Sequence, residues 1–69
     1  MIDYAAAQKL FVKHKAALTR AEKKGPEAVM AEVTKFYADF EKAGFPLPDD
    51  WARWERAKYD AEMKIMRRA

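Results

Sequence analysis

The segment from Trp51 to Arg68 carries two apolar stripes, and a three-helix chain of this length can bury one of them. At about 100° per residue, Trp54, Ala57, Ala61 and Ile65 fall on one side of a helix, flanked by Trp51. Ala52, Tyr59, Met63 and Met66 recur at the same spacing on roughly the opposite side. One stripe can close an intramolecular core. The other needs a second molecule, or a central place for this helix in the bundle. The pattern points to association, with a second copy of the chain or with another protein, rather than to chemistry. Ala52, Tyr59, Met63 and Met66 are the residues expected to carry it, with Arg56 and Arg67 at the rim. Methionine adapts to irregular surfaces, and tyrosine and arginine are enriched at interfaces.

Size restricts what else the chain can be. Its 69 residues make one domain, spanning 1–69, near the length at which a single core supplies only about 3–5 kcal/mol. With no cysteine, neither a disulfide framework nor a thiolate metal site can add to that margin. Two tryptophans, three tyrosines and four phenylalanines offer dense aromatic packing as compensation, and oligomerisation is the second route. At 36% charged and 51% apolar, the composition is that of a folded protein. Met-Ile-Asp-Tyr at the start has no basic stretch before an apolar run, so no secretory signal is expected. No apolar run approaches the ~20 residues that cross a bilayer. The expectation is a soluble cytoplasmic protein without membrane contact.

Three helical blocks are separated by clear punctuation, with helices expected at about 3–24, 27–43 and 49–68. Asp3 can cap the first. Gly25 suits the end of that helix and Pro26 the start of the next, and Gly44 ends the second. Phe45-Pro46-Leu47-Pro48 cannot be regular helix, because each proline biases its predecessor to extended geometry. Asp49 or Asp50 can then cap the third helix. The first helix has an apolar face of Tyr4, Ala7, Leu10, Phe11, Ala17, Leu18 and Ala21, with His14 in its middle. Val29, Met30, Val33, Phe36, Tyr37 and Phe40 form the strongest stripe, on the second. A turn as short as Gly25-Pro26 packs two helices antiparallel or at a steep crossing. Phe45 and Leu47 are expected to anchor the proline loop on the core. The fold class is all-α: a compact three-helix bundle, a helical hairpin plus a third helix, expected to oligomerise.

No motif for catalysis, metal or cofactor is present. P-loop, HExxH, EF-hand and glycine-rich phosphate signatures are missing, and two glycines could not build them. The sole histidine, His14, has Leu10, Phe11, Ala17 and Leu18 three and four residues away, and none is a nucleophile or carboxylate. It reads as an interhelical histidine satisfied by Tyr37, a backbone carbonyl or water. Asp49 and Asp50 read as helix-capping charges, and Asp60 and Glu62 as exposed partners of Arg56, Lys58 and Lys64. No enzymatic activity is expected.

Basic residues support a second possibility. From Lys9 to Lys24 there are six Lys or Arg against one Glu. Lys9, Lys13, Arg20 and Lys24 share a stripe opposite the apolar face, with Lys23 beside them, so nucleic acid is an alternative partner. Such a row spans roughly 22 Å at the helical rise and could track phosphates. A solvated outer face looks the same, however, and the net charge is only +3. Helix two, which would be the recognition helix of a helix-turn-helix, has Glu27, Glu32, Asp39 and Glu41 on its expected outer face.

The most distinctive run is Pro48-Asp49-Asp50-Trp51-Ala52-Arg53-Trp54-Glu55-Arg56-Ala57. Trp51 and Trp54 are a turn apart and are expected to be core anchors, with Arg53 or Arg56 able to lie over an aromatic face. This run resembles stretches in short helical proteins of bacteriophages, where an aspartate-tryptophan-x-arginine-tryptophan sequence opens a terminal helix. The resemblance covers these ten residues and assigns no site residue. It implies a small phage accessory or inhibitor protein acting in the host cytoplasm.

Overall fold

Each helix starts and stops for a local reason. In the computed structural model, which describes residues 3–68, α1 is Tyr4–Lys24, α2 is Pro26–Ala43 and α3 is Trp51–Arg68. The Asp3 carboxylate accepts from the Ala6 N–H at 3.1 Å and so caps α1. A single residue, Gly25, joins α1 to α2. Its N–H donates to the Ala21 carbonyl and its own carbonyl accepts from Val29, so it closes one helix and opens the next. It does so at φ 132°, ψ 174°, a region essentially restricted to glycine. At Gly44, φ 72° allows paired bonds from Gly44 N–H to Glu41 and from Phe45 N–H to Phe40, which finish α2.

The third helix starts at Trp51, directly after Asp50 and two residues past the expected bound of 49. Asp49 and Asp50 form a turn, and backbone bonds from Trp51 N–H to Pro48 and from Arg53 N–H to Asp50 lead into α3. No Asp49 or Asp50 side chain bonds the helix among the described residues. The proline loop is also less anchored than expected. Phe45 packs against Phe40 with ring centroids 6.3 Å apart, but Leu47 is 43% exposed.

α2 is the central helix, lying against α1 on one side and α3 on the other. Its aromatic stripe explains this position. Phe36 stacks on Trp54 of α3 at 4.3 Å and meets Phe40 at 4.9 Å and the His14 ring of α1 at 5.7 Å. α1 and α3 meet through long side chains, Phe11 to Trp54 and Glu22 to Arg53. Leu18, Ala21, Val29, Val33, Phe36, Phe40, Trp54 and Ala61 form the core. Tyr4 and Trp51, expected on the core faces, lie outside it. Tyr4 sits on the first turn of α1, at the open cleft beside the proline loop, and Trp51 is rotated off the axis defined by Trp54 and Ala61. The indole Nε1–H of Trp54 is buried without a hydrogen-bond partner, accepted for the aromatic contacts around it.

The molecule measures 46 × 18 × 17 Å, elongated because its helices are staggered. Lys64 lines the same cleft as Gly25 and Pro26, so the last turn of α3 runs past the α1–α2 connection. Arg68 ties that turn back through an ion pair with Glu27. No helix among the described residues is long and apolar enough to cross a membrane.

Candidate functional site

The outer face of α3 is left uncovered by the fold. Trp54 and Ala61 face the core, and the opposite side presents Ala52, Tyr59, Met63 and Met66. Tyr59 is 62% and Met66 68% exposed, Ala52 is exposed and Met63 half-buried. Arg56 and Arg67, both exposed, border this stripe on one flank. Glu55 and Glu62, seven residues apart, border it on the other. The stripe thus separates an edge of Arg56, Asp60 and Arg67 from an edge of Glu55 and Glu62. Glu55 also accepts a 2.6 Å bond from the Tyr37 hydroxyl of α2. Burial, followed by that bond and the charge on Glu55, pushes the Tyr37 phenol up to about 12. The expected exposed pairs of Asp60 and Glu62 with neighbouring cations of α3 are not formed; the ion pairs of this helix run to other helices, Arg53 to Glu22 and Arg68 to Glu27. Arg53 therefore reaches a carboxylate rather than an aromatic face.

His14 has partners that the sequence reading did not give it. Its Nδ1 lies 2.6 Å from Glu32 Oε1, and its Nε2 lies 2.9 Å from Asp39 Oδ2. Tyr37 is engaged elsewhere and does not take part. A ring protonated on both nitrogens donates to both carboxylates, whereas a ring with one proton donates to one. The carboxylates sit at opposite edges of the imidazole and cannot converge on one ion. The ring is 1% exposed, and neither the α1–α2 groove nor the cleft at the proline loop opens onto it. The arrangement fixes the register of α1 on α2.

This cluster corrects the expected charge of α2. Glu32 and Asp39 are turned to α1 and bound to His14, not displayed on an acidic outer face. Beside them Lys35 is exposed. On α1, Lys9, Lys13, Arg20, Lys23 and Lys24 are all exposed, as the stripe predicts. Arg20 and Lys24 meet Lys35 across a groove of about 350 Å³ between the helices. A third surface, a cleft of about 400 Å³, lies between the start of α1 and the proline loop, lined by Tyr4, Phe11, Phe40 and Leu47.

No protein-family model matches the chain, and no curated protein or solved structure matches it significantly.

Proposed function

We propose that this chain is a small, non-enzymatic interaction protein that binds protein through the outer face of α3. A second copy of the chain is its first partner. The observation that carries this is the exposure of Tyr59 and Met66 on a helix whose opposite face already fills the core. Edge charges support the choice of a second copy. A two-fold axis parallel to α3 sets the Arg67 edge of one protomer against the Glu62 edge of the other. It also faces each stripe residue with its own counterpart. Glu62 then comes within reach of the partner's Arg67, five residues further along, the spacing at which parallel helices exchange charges. Glu55 meets the partner's Asp60 at the same spacing, so the attraction rests on the Glu62 to Arg67 pair.

Tyr59 and the two methionines would be the central anchors and the charged edges the rim. A small accessory or inhibitor role, as the phage-like run at 48–57 implies, is compatible with such a module. Light scattering across a concentration series tests the reading. The wild type should give the mass of two chains at about 100 µM, a concentration at which a micromolar dimer is well populated. Tyr59→Glu with Met66→Glu should give a helical monomer. A wild type that remains a monomer, or a double variant that loses its helical circular dichroism, removes the basis for the proposal.

A further inference from the structure

The acids and cations of the α1–α2 hairpin are segregated. Of its six carboxylates, Glu32 and Asp39 hold His14, Glu22 and Glu27 reach Arg53 and Arg68 of α3, and Asp3 caps α1. Glu41, the sixth, projects about 120° around α2 from Lys35. The cations on the face turned away from α3 have no such partner among the described residues. Arg20 and Lys24 of α1 and Lys35 of α2 rim a groove floored by Ala17, Ala28 and Ala31. Lys9 and Lys13 continue the same face of α1, since steps of four and seven residues keep them in line with Arg20 and Lys24. The small floor lets a ligand come close to both backbones. Glu32 also lines the groove, with its carboxylate held by His14.

We infer that this groove is a binding site for the phosphate backbone of duplex nucleic acid. Four cations in a line of roughly 22 Å on α1, faced by Lys35 across the groove, suit a polymer that repeats its charge along its axis. No aromatic side chain lines the groove, so it lacks the stacking platform that single strands use. An acidic protein partner would want aromatic or aliphatic anchor pockets, and a membrane would want apolar side chains to insert; an alanine floor provides neither. Binding of this kind is independent of sequence and driven by counterion release. The site lies on the opposite side of the hairpin from α3 and does not depend on the dimer.

Fluorescence anisotropy with a labelled ~20-bp duplex DNA of arbitrary sequence tests the inference at a series of salt concentrations. If all five cations engage, the logarithm of the binding constant falls with a slope of about −4.5 against the logarithm of salt. Arg20→Gln with Lys35→Gln should flatten that slope by about 2, each lost phosphate contact removing close to one unit, and should weaken binding at least tenfold. Lys15→Gln, which removes one charge from an exposed site off the groove, should leave the slope unchanged. Tyr59→Glu with Met66→Glu should keep the affinity of the wild type, which separates failure of this site from failure of the α3 interface. No binding at about 50 mM salt would overturn the inference, since phosphate contacts are strongest there. So would a Lys15→Gln loss equal to that of Lys35→Gln, or groove-dependent binding to anionic vesicles or polyglutamate without binding to the duplex.

Discussion

The inner and outer faces of α3 are built on the same periodicity and have opposite fates. Trp54 and Ala61 are fully enclosed, while Tyr59 and Met66, equally regular in spacing, are mostly in solvent. Periodicity alone does not decide between them; shape does. Trp54 presents a flat ring that stacks on Phe36, and Ala57 and Ala61 are small enough to bring the two backbones close beside it. Long, flexible Met63 and Met66 and the hydroxyl of Tyr59 do not provide such a surface. A face made of small residues around one large ring belongs to the fold, and a face of adaptable side chains is left to solvent.

The largest expected effect follows from that contrast. Trp54→Ala should cost about 3–5 kcal/mol, comparable to the entire stability of a domain this small, and leave the chain largely unfolded in urea titrations. Tyr59→Ala and Met66→Ala should stay within about 0.5 kcal/mol of wild type when measured below the dimer concentration range. Equal losses on both faces would break the comparison.

Next in size is the cluster that holds the central helix to α1. His14→Leu leaves the half-buried Glu32 carboxylate without its donor and should cost about 2 kcal/mol. Adding Glu32→Leu should return part of that loss, because a missing pair is tolerated better than a broken one. A double variant no more stable than His14→Leu would show that the pair contributes little to the packing of α1.

Backbone changes come third. Gly25→Ala places a side chain at φ 132°, ψ 174° and should cost about 1–3 kcal/mol, although the nearest atom to its new Cβ is 3.7 Å away. The penalty is conformational, not steric crowding. Gly44→Ala, at an ordinary left-handed position with open space around it, should cost about 1 kcal/mol. A thermal melt of each variant orders the two.

The smallest effect concerns pH. Tyr37 has its phenol raised to about 12 by burial and then by Glu55, so its protonated form contributes stability below the unfolded value near 10. That contribution is lost as pH rises from about 10 to 12. Tyr37→Phe should be slightly less stable at neutral pH and show a shallower decline across this alkaline window, measured by urea unfolding at fixed pH values. An unchanged decline would remove Tyr37 as a source of it.

Three helices, their glycine stops and the core stripe of α2 were legible because capping, glycine and 3.6-residue periodicity are local. Partners across helices were not read, yet the signal for one of them was there. His14 lies eleven residues before Gly25 and Phe36 eleven after it, so an antiparallel hairpin sets them opposite each other. Glu32 and Asp39 stand one turn to either side of Phe36, which is where the two ring nitrogens find them. Treating these acids as an outer face hid both the cluster and the exposed Lys35 beside it. Trp51 failed for a different reason. It shares a turn with Trp54 but lies about 60° around the helix from it, and spacing alone does not report how wide a face the neighbouring helices cover. The stripe of Tyr59 and Met66 was legible from spacing, and its exposure follows from the place of α3 in the bundle.

The cysteine-free sequence makes the proposed pairing of α3 directly testable. In a parallel two-fold dimer, Met66→Cys places two thiols opposite each other, within the ~4–7 Å Cα separation that a disulfide bridges. Under mild oxidation at dilute protein, Met66→Cys should link rapidly into a covalent dimer, while Lys15→Cys on the far side of α1 should remain a single chain. Met66→Cys linking no faster than Lys15→Cys would contradict an α3-to-α3 interface.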